Sequence, residues 1–543
     1  MIPQKTSENS TLLPVSRKVM NLSHILRQSA RRFPNEIGLV WGSQFWQWGD
    51  IMERVSAMAG ALTSKGVTKG DKILVHSQNC NQLFESMFVC FQLGAVWVPT
   101  NFRQTPVEVA YQAQASGATA MICNADFSEH AKKACEVAPS IKFVVSIGSS
   151  KFGENYDTLV KDNLFTEAPF ADVNYDDPCW FFFTSGTTGK PKAAILTHGQ
   201  MGFVITNHLC DLMPDTKQSD ASLVLAPLSH GAGIHQLVNT ARSVKTVLLS
   251  SPSLNAEEAW KLVENWKITN MFTVPTIVKL LVEHDAIKTY DHSSLRYVIY
   301  AGAPMYREDQ KDALKKLGMV LVQYYGLGEV TGNITVLPPD LHDFADGFET
   351  PIGTCGYERT GMQVSIQDGR GNEVAVGKTG EIAVCGPAVF AGYYNNTEAN
   401  QKAFRNGWFL TGDLGHMDEQ GFVFITGRSS DMYISGGSNI YPREIEEIIL
   451  RHPEIGEAVV VGIPDKKWGE VGVAICVKKE KGNITDSEIF ARLQDHFAQY
   501  KLPKKIFFWD SLPKSSYGKV SKKQIKDELY KRELLPAPIE NQA

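Results

Sequence analysis

The sequence lacks long apolar runs, a signal-peptide core and any excess of positive charge. Although 43% of its 543 residues are hydrophobic, no run approaches the about 18 apolar residues that span a bilayer. The N-terminal segment, MIPQKTSENSTLLPVSRKV, is polar and does not contain the apolar stretch of a signal peptide. The formal net charge is -5, so electrostatics gives no reason to expect nucleic acid as a partner. These absences predict a cytoplasmic globular protein without a transmembrane segment.

The cysteines also lack the spacings that disulfide frameworks and zinc sites need. Nine cysteines are dispersed along the chain, with no CxxC pair and no cluster of cysteine and histidine. An odd, scattered set favours reduced thiols in a cytoplasmic protein.

Short β-rich segments alternate with helical patterns in two series. Alternation of this kind predicts parallel sheets covered by helices on both faces. Because the alternation occurs twice, we expect an α/β fold with two similar lobes. The predicted strands are 73–78, 95–100, 119–124 and 143–148 in the first series, and 222–228, 270–275, 297–302 and 319–325 in the second.

Beyond about residue 345 the pattern changes to glycine, charge and short strands. The segment 363–386 predicts hairpins joined by Asp-Gly and Gly-Asn turns. Pro442 suits the first turn of a helix with an apolar face of isoleucines at 445, 448 and 449. We therefore expect a β-rich subdomain that completes an N-terminal domain over residues 1–427. A small α+β domain, with three more strands and two helices in its last hundred residues, follows over 428–543.

The most distinctive segment is WFFFTSGTTGKPKAAILTHGQ, residues 180–200. Its glycines, hydroxyl residues and lysines suit phosphate, which backbone N–H groups, hydroxyl donors and positive charge all attract. A P-loop has four residues between its glycines and a hydroxyl after its lysine. Here two residues separate Gly186 from Gly189, and Pro191 follows Lys190. The pattern predicts a strand–loop–strand phosphate site, with a surface hairpin that binds no ligand as the alternative.

TSGTTGKPK resembles the signature loop of the adenylate-forming superfamily, which includes acyl-CoA synthetases, nonribosomal peptide adenylation domains and beetle luciferases. Further segments resemble other motifs of this family in the family's order, and the resemblance extends from about residue 22 to 530. It is strongest to bacterial acyl-CoA synthetases. The matching segments are APLSHGAG (226–233), YAGAPM (300–305), YYGLGEVTG (324–332), WFLTGDLG (408–415), GRSSDMYISGGSNIYPREIE (427–446) and PKSSYGKVSKKQI (513–525).

The resemblance implies a ligase that uses ATP, Mg²⁺ and coenzyme A in two steps. A carboxylate attacks the α-phosphate of ATP to give an acyl-adenylate and pyrophosphate, and a thiol then displaces AMP. The first step brings an anion to a polyanion, so the site must neutralise charge and align the attack. In this family the small C-terminal domain rotates between the two steps.

By resemblance, three residues act directly in this chemistry. Glu329 holds Mg²⁺ through a hard carboxylate oxygen, Lys519 contacts the attacking carboxylate and the α-phosphate, and His230 lines the acid pocket. Tyr325 stacks on adenine and Asp413 accepts both ribose hydroxyls. The implied nucleotide site consists of Thr184, Ser185, Gly186, Thr187, Thr188, Gly189, Lys190, Gly302, Ala303, Pro304, Tyr324, Tyr325, Gly326, Asp413 and Arg428.

The small residues near His230 predict a pocket for an aromatic or medium-chain acid rather than for acetate. Outside the motifs, the same residues have ordinary explanations: Glu329 would be a solvated loop residue, Asp413 a turn residue and Lys519 a solvated lysine. The implied acid pocket is His230, Gly231, Gly233, Ala301, Gly302, Gly326 and Gly328; the implied coenzyme A contacts are Ser435, Gly436 and Gly437; the implied hinge is Ser430 and Asp431.

Two positions depart from the family pattern. Gly328 stands where the family usually has threonine, and Ser430 stands where it has aspartate or lysine. These departures support one alternative, a catalytically impaired nucleotide-binding homologue. A second alternative, which differs only in the thiol partner, is a free-standing adenylation enzyme that loads a carrier protein. The sequence is compatible with a homodimer but does not indicate one.

Overall fold

The described part of the chain forms four β-sheets, two of them large, with helices packed against them. No helix within that part is both long enough and apolar enough to cross a membrane. The computed structural model describes residues 18–149, 152–165, 168–184, 190–251, 253–303, 305–343, 353–428, 430–435, 438–465, 467–480, 482–514 and 520–534.

The first lobe is built mainly from residues before 212. The strands in this part of the chain are β1 (Ile37–Trp41), β2 (Gln44–Gln47), β3 (Lys72–His76), β4 (Val96–Thr100), β5 (Ala120–Asn124), β6 (Val144–Ile147), β7 (Glu154–Asn155), β8 (Pro178–Thr184) and β9 (Lys192–Thr197), of which β1 and β2 join the sheet of the second lobe. Its helices are α1 (His24–Arg32), α2 (Trp48–Ser64), α3 (Asn81–Leu93), α4 (Pro106–Ser116), α5 (Ser128–Val137), α6 (Tyr156–Asp162) and α7 (His198–Asp211). One large sheet has the order β7-β6-β5-β3-β4-β8-β9 and is parallel except between β8 and β9.

Helix α3 is buried along its whole length in this lobe. Its apolar positions are surrounded by core residues, and its carboxylate, Glu85, is fully buried. Glu85 accepts hydrogen bonds from Arg54 Nε at 2.7 Å and from Asn81 Nδ2 at 2.9 Å. A buried carboxylate requires such partners, because burial otherwise strongly disfavours its charged form.

The second lobe follows the same plan with a larger sheet. Its strands are β10 (Ala221–Val224), β11 (Lys245–Leu248), β12 (Asn270–Thr273), β13 (Tyr297–Tyr300), β14 (Leu321–Tyr325), β15 (Thr335–Leu337) and β16 (Tyr357–Glu358). Its helices are α8 (Gly231–Ala241), α9 (Ala256–Trp266), α10 (Pro275–Glu283) and α11 (Arg307–Leu317). The sheet order is β16-β15-β14-β13-β12-β10-β11-β1-β2, so the N-terminal strand β1 pairs with β11 and connects the two lobes.

The remaining residues form a β-rich unit and a smaller α+β unit. The first contains β17 (Gln363–Gln367), β18 (Gly380–Cys385), α12 (Thr397–Ala403), β19 (Phe404–Arg405), β20 (Trp408–Met417) and β21 (Val423–Arg428). The second contains β22 (Tyr433–Ser435), β23 (Ser438–Ile440), α13 (Pro442–Leu450), β24 (Ile455–Asp465), β25 (Gly469–Lys478), α14 (Asp486–Gln494), β26 (Lys505–Phe508) and α15 (Lys522–Lys531).

The predicted α/β fold with a smaller C-terminal part is confirmed. All eight predicted strands are present, and each starts within two residues of the predicted start. Helix α13 begins at Pro442 and buries the three predicted isoleucines. The sheets are not purely parallel as expected, because antiparallel strands flank both of them at β2, β9, β15 and β16. The boundary at 427/428 falls at the end of β21 and stays a prediction.

A buried ion pair joins helix α7 of the first lobe to the segment after β16. Arg359 is 1% exposed, and its Nε lies 2.9 Å from Asp211 Oδ2. Asp211 also accepts hydrogen bonds from the backbone N–H and the hydroxyl of Thr360, at 2.9 and 2.7 Å. Burial alone would raise the pKa of Asp211, but the Thr360 hydrogen bonds and the Arg359 charge hold this pKa below its usual value.

We expect Arg359→Ala to lower the free energy of unfolding by about 3–5 kcal/mol at pH 7, because it leaves the Asp211 carboxylate buried without its cation. Urea unfolding followed by tryptophan fluorescence measures this change. Lys402→Ala, which removes an exposed pair with Glu398, should change stability little.

The pH dependence of the same pair follows from the lowered pKa of Asp211. Its stabilising contribution is present above the unfolded pKa of about 3.9 and is lost as the pH falls through the lower folded pKa. The loss of unfolding free energy caused by Asp211→Asn should therefore be complete at pH 7 and become smaller below about pH 4. A loss of unfolding free energy that becomes larger on acidification would contradict this account.

Candidate active site

The predicted phosphate loop lies between two antiparallel strands, as its sequence pattern predicted. Strand β8 ends at Thr184, which pairs with Lys192 at the start of β9. The Lys192 ammonium lies 5.1 Å from the centre of the Tyr393 ring, and the Lys190 ammonium lies 5.7 Å from that of Tyr111. The loop residues 185–189 (Ser185, Gly186, Thr187, Thr188 and Gly189) lie outside the described residues. Lys190 and Lys192, which flank this loop, are thus both close to an aromatic ring, and the faces of such rings attract cations.

Glu329 is held beside the end of β8 by two hydrogen bonds. It lies in a short 3₁₀ turn after β14 and is 6% exposed. Its Oε1 accepts a hydrogen bond from the Thr184 hydroxyl at 2.7 Å and another from the Tyr393 hydroxyl at 2.9 Å. Neither bond uses Oε2. The side chain is therefore fixed in orientation while one oxygen stays outside these two bonds.

These contacts fit a Mg²⁺–nucleotide site with a single protein carboxylate. No group of three or more His, Cys, Asp or Glu that could hold a metal occurs in the described ranges. Mg²⁺ commonly takes one or two carboxylates together with substrate phosphates, so the single carboxylate of Glu329 is sufficient.

Tyr393 was not predicted from the sequence. It is the first tyrosine of YYNN in the β-rich unit, 64 residues from Glu329 in the chain. Burial and the Glu329 charge both raise the pKa of Tyr393, so its hydroxyl stays protonated and donates. The sequence shows two adjacent tyrosines at this position, but it gives no indication that Tyr393 contacts Glu329.

A second polar group joins Tyr325, Asp413 and Arg428. Asp413 is 5% exposed on β20, and its Oδ2 accepts a hydrogen bond from the Tyr325 hydroxyl at 2.6 Å. Its Oδ1 lies 3.0 Å from Arg428 Nε, its cross-strand neighbour on β21. Burial and the Asp413 charge raise the pKa of Tyr325. The structure thus brings together three residues that the sequence assigned to the nucleotide.

Electrostatics connects this group to Glu329. Burial opposes the charge of Arg428, but the charges of Asp413, Tyr325, Asp431 and, last, Glu329 act in the other direction, so the pKa of Arg428 is raised. The Arg428 charge in turn acts on Tyr393. The two polar groups therefore lie within electrostatic range of one another and belong to one site.

His230 lies immediately before helix α8 and contacts β8 through Phe182. Its Nδ1 is 3.0 Å from the Ser229 hydroxyl, and its ring meets the Phe182 ring edge to face at 5.3 Å. Phe182 and Thr184 both belong to β8. His230 and Glu329 therefore contact side chains of the same strand. At the end of β13, Ala301 is buried, whereas Gly302 and Ala303 are exposed; Pro304 lies outside the described residues.

Several glycines assigned to the acid pocket are in close contact with protein atoms. A Cβ added at Gly231 would lie 2.8 Å from the Phe272 ring, and one at Gly233 would lie 2.1 Å from the Leu228 carbonyl oxygen. At Gly326 the nearest backbone atom would be 2.3 Å away. Close packing therefore requires these glycines, and their small size does not by itself measure the volume of the acid.

The departure at Gly328 has the same physical explanation. A Cβ at this position would lie 2.7 Å from the Phe182 ring and 2.8 Å from Thr184 Cγ2. Gly328 directly precedes Glu329, so its small size permits the approach of Glu329 to Thr184. The strand β8 and the Glu329 turn could not be this close with a threonine in the same backbone position.

The residues assigned to coenzyme A and to the hinge lie in or near β22. Ser435 ends β22 and is 4% exposed, whereas Gly436, Gly437 and the predicted catalytic Lys519 lie outside the described residues. Ser430 donates a weak hydrogen bond to Asp431 at 3.4 Å. The Lys522 ammonium lies 3.6 Å from Asp431 and 3.1 Å from Glu446. Asp431 is thus connected to the start of α15.

Comparison with known proteins agrees with this geometry. Residues 26–394 match the family described as AMP-binding enzyme, and residues 444–519 match the AMP-binding enzyme C-terminal domain. A feruloyl-CoA synthase of Amycolatopsis sp is 33% identical, covering 92% of this chain and 96% of its own. An indoleacetate–CoA ligase of Aromatoleum aromaticum is 29% identical, covering 93% and 98%.

A solved structure has the same fold over nearly the whole chain. The o-succinylbenzoate coenzyme A synthetase of Bacillus subtilis, in complex with ATP and magnesium, superimposes with a TM-score of 0.81. It is 28% identical, and the match covers 93% of this chain and 99% of that one. The chain therefore belongs to the AMP-binding enzyme family of ATP-dependent, adenylate-forming proteins.

Proposed function

We propose that this protein is an acid–thiol ligase that adenylates an aromatic acid and transfers the acyl group to coenzyme A. The observation that carries the proposal is the Glu329 carboxylate, which is fixed between the end of the phosphate loop and Tyr393 beside the Asp413–Arg428 pair. The relatives named above, which act on ferulate and indoleacetate, support an aromatic substrate.

The first step makes one bond and breaks one. A carboxylate oxygen of the acid attacks the α-phosphorus of ATP, and the bond from that phosphorus to the bridging oxygen breaks to release pyrophosphate. Glu329 would hold Mg²⁺, which neutralises phosphate charge when it is bound. Lys190 and Lys192 supply further positive charge at the base of the loop. Positioning by these groups would contribute most of the rate.

The nucleoside would be held by Asp413, Tyr325 and Arg428. A carboxylate can accept both ribose hydroxyls with its two oxygens. Because Arg428 and Tyr325 already contact Asp413, its side chain is oriented before the nucleotide binds. The exposed Gly302 and Ala303 leave backbone at the end of β13 accessible to the base.

In the second step the thiol sulfur attacks the acyl carbon, and AMP leaves with the electron pair of the acyl–oxygen bond. We assign coenzyme A to this step because the relatives are named as coenzyme A ligases. Roles for Lys519, Gly436 and Gly437, rotation of the C-terminal part, a cytoplasmic location and a homodimer all stay predictions. A carrier-protein thiol and an impaired homologue remain the alternatives to be tested.

An acid panel tests the proposed function directly. With ATP and Mg²⁺, we expect AMP to form at least about tenfold faster with benzoate, phenylacetate or cinnamate than with acetate, because each missing carbon in an apolar pocket costs transition-state contact. AMP release and acyl-CoA formation are measured with coenzyme A present. Acetate as the fastest acid would overturn the predicted acid class, and no AMP with any acid would favour the impaired homologue.

Glu329→Gln should lower AMP formation about 10²–10³-fold, because the neutral amide no longer balances a cation at the phosphates. Tyr393→Phe removes one of the two donors to Glu329 and should cause a smaller loss together with a higher Mg²⁺ requirement. Glu381→Gln is the matched control, since its carboxylate lies in the β-rich unit and pairs weakly with Arg405 at 3.9 Å. Equal rates for Glu329→Gln and the control would refute the assigned role.

Gly328→Thr restores the usual family residue and is nevertheless expected to lower kcat/KM about 10–100-fold. The new side chain would displace Phe182 or Thr184, and a misplacement of about 1 Å at a reacting centre can cost 10²-fold. Steady-state kinetics with the best acid measures the effect. Increased activity would show that glycine at position 328 lowers the activity of the native enzyme and that packing does not require it.

A further inference from the structure

Lys190 and Pro191, which follow the predicted phosphate loop, are held by a side chain outside the nucleotide motifs. The Tyr111 hydroxyl donates a hydrogen bond to the carbonyl oxygen of Pro191 at 3.1 Å. The ring of the same tyrosine has its centre 5.7 Å from the Lys190 ammonium. Tyr111 lies on helix α4, 80 residues before Pro191 in the chain. One half-buried side chain of the first lobe therefore contacts both residues that precede β9.

Helix α4 gives this tyrosine a fixed support. Its first turn is closed by a reciprocal pair of bonds, in which the Thr105 N–H donates to Glu108 Oε2 at 2.7 Å and the Glu108 N–H donates to Thr105 Oγ1 at 3.4 Å. Val109 and Ala113 of the same helix are fully buried. They belong to a core cluster that includes residues of β8 and β9, namely Phe181, Phe183 and Ala193. The helix and the two strands beside the loop therefore form one packed body.

The anchor on Pro191 also restricts the backbone of Lys190. A proline ring fixes its own φ at about −65° and biases the preceding residue towards extended conformations. On the other side of Pro191, Lys192 pairs with Thr184 in the ladder between β8 and β9. Because the sheet holds Lys192 and Tyr111 holds the Pro191 carbonyl group, few backbone conformations are left for Lys190.

The same two strands are connected to Glu329, which would hold Mg²⁺. The Thr184 hydroxyl donates to Glu329 Oε1 at 2.7 Å. The Lys192 ammonium lies 5.1 Å from the centre of the Tyr393 ring, and the hydroxyl of that tyrosine also donates to Glu329. Lys190 is exposed, so its charge can reach a ligand. The position of this charge is therefore defined relative to the carboxylate at the phosphates.

We propose that Tyr111 is a positioning residue for the first step, which places the Lys190 ammonium at the phosphates that leave as pyrophosphate. The inference rests on the proposed function and adds to it a residue outside the motifs. The nucleoside is assigned to Asp413, whereas Lys190 follows the loop beside Glu329, so its charge serves the other end of ATP. A charge that is in place before ATP binds stabilises the transition state without reorganisation.

Two substitutions separate the contributions of the hydroxyl and the ring. ATP–pyrophosphate exchange, measured with the best acid of the panel and without a thiol, reports the first step alone. Tyr111→Phe removes only the hydroxyl, so kcat/KM for ATP should fall about 2–10-fold, which corresponds to the loss of one hydrogen bond. Tyr111→Leu also removes the ring and should lower kcat/KM for ATP about 5–50-fold. The KM for the acid should keep its native value in both variants.

The second step supplies a readout that a purely structural role would not spare. When acyl-adenylate and coenzyme A are provided, no pyrophosphate is present, so both Tyr111 variants should form acyl-CoA at the native rate. Tyr357→Phe is the matched control: Tyr357 is 40% exposed on the edge strand β16, and its substitution should leave both steps unchanged. Equal losses in the two steps would overturn the inference. If Tyr111→Leu does not fold, as judged by circular dichroism, Tyr111→Phe decides.

A double-mutant cycle tests whether Tyr111 acts through Lys190. Lys190→Met removes the ammonium and keeps an unbranched side chain. In this background Tyr111→Leu should lower the exchange rate by at most about twofold, because the group that it positions is already missing. An undiminished effect of Tyr111→Leu in both backgrounds would show that Tyr111 acts independently of Lys190, and would overturn the inference.

The outcomes also separate this inference from the proposed function. Exchange by the native enzyme that neither Tyr111 variant slows would overturn the positioning role and leave the ligase intact. No exchange by the native enzyme with any acid of the panel would refute the ligase, and the inference with it.

Discussion

The carboxylate of Glu329 joins the three parts of the chain on which the proposed chemistry depends. Its backbone follows β14 of the second lobe, while its Oε1 contacts Thr184 at the end of β8 and Tyr393 in the β-rich unit. An anion that must stabilise a cation against phosphates works only if its position is fixed before the ligands arrive. Gly328 is part of this constraint, because a side chain there would separate the Glu329 turn from β8.

The sequence predicted most of the fold and all three members of the Tyr325–Asp413–Arg428 group, but only part of the contacts around Glu329. Local periodicity located all eight strands, because strand and helix patterns differ in period. It could not show that β1 pairs with β11, some two hundred residues later, since such pairing depends on the whole fold. The motifs likewise indicated Glu329 and Asp413 but not Tyr393. That hydroxyl acquires its role only when the β-rich unit packs against β8, and no local pattern records the distance between them.

The glycines show how composition can indicate the right region for an incomplete reason. They were expected to leave space for a large acid, and two of them, Gly231 and Gly233, directly follow His230 in the chain. In the folded chain, however, the space beside Gly231 and Gly233 is occupied by Phe272 and by the Leu228 carbonyl group. Backbone that approaches a ring this closely forms a narrow wall rather than an open cavity. The proposed aromatic acid class is thus better supported by the relatives than by the small residues.

The ion pair that stabilises the fold also acts on two buried histidines. Asp211 balances Arg359 inside the protein, and the Arg359 charge then acts, after burial, to lower the pKa values of both His208 and His235. Neutral imidazoles can donate and accept, whereas protonated ones only donate. A buried guanidinium next to two histidines therefore does more than hold α7 against the segment after β16. It also helps to keep two imidazoles uncharged inside the core, where a charged ring would be costly.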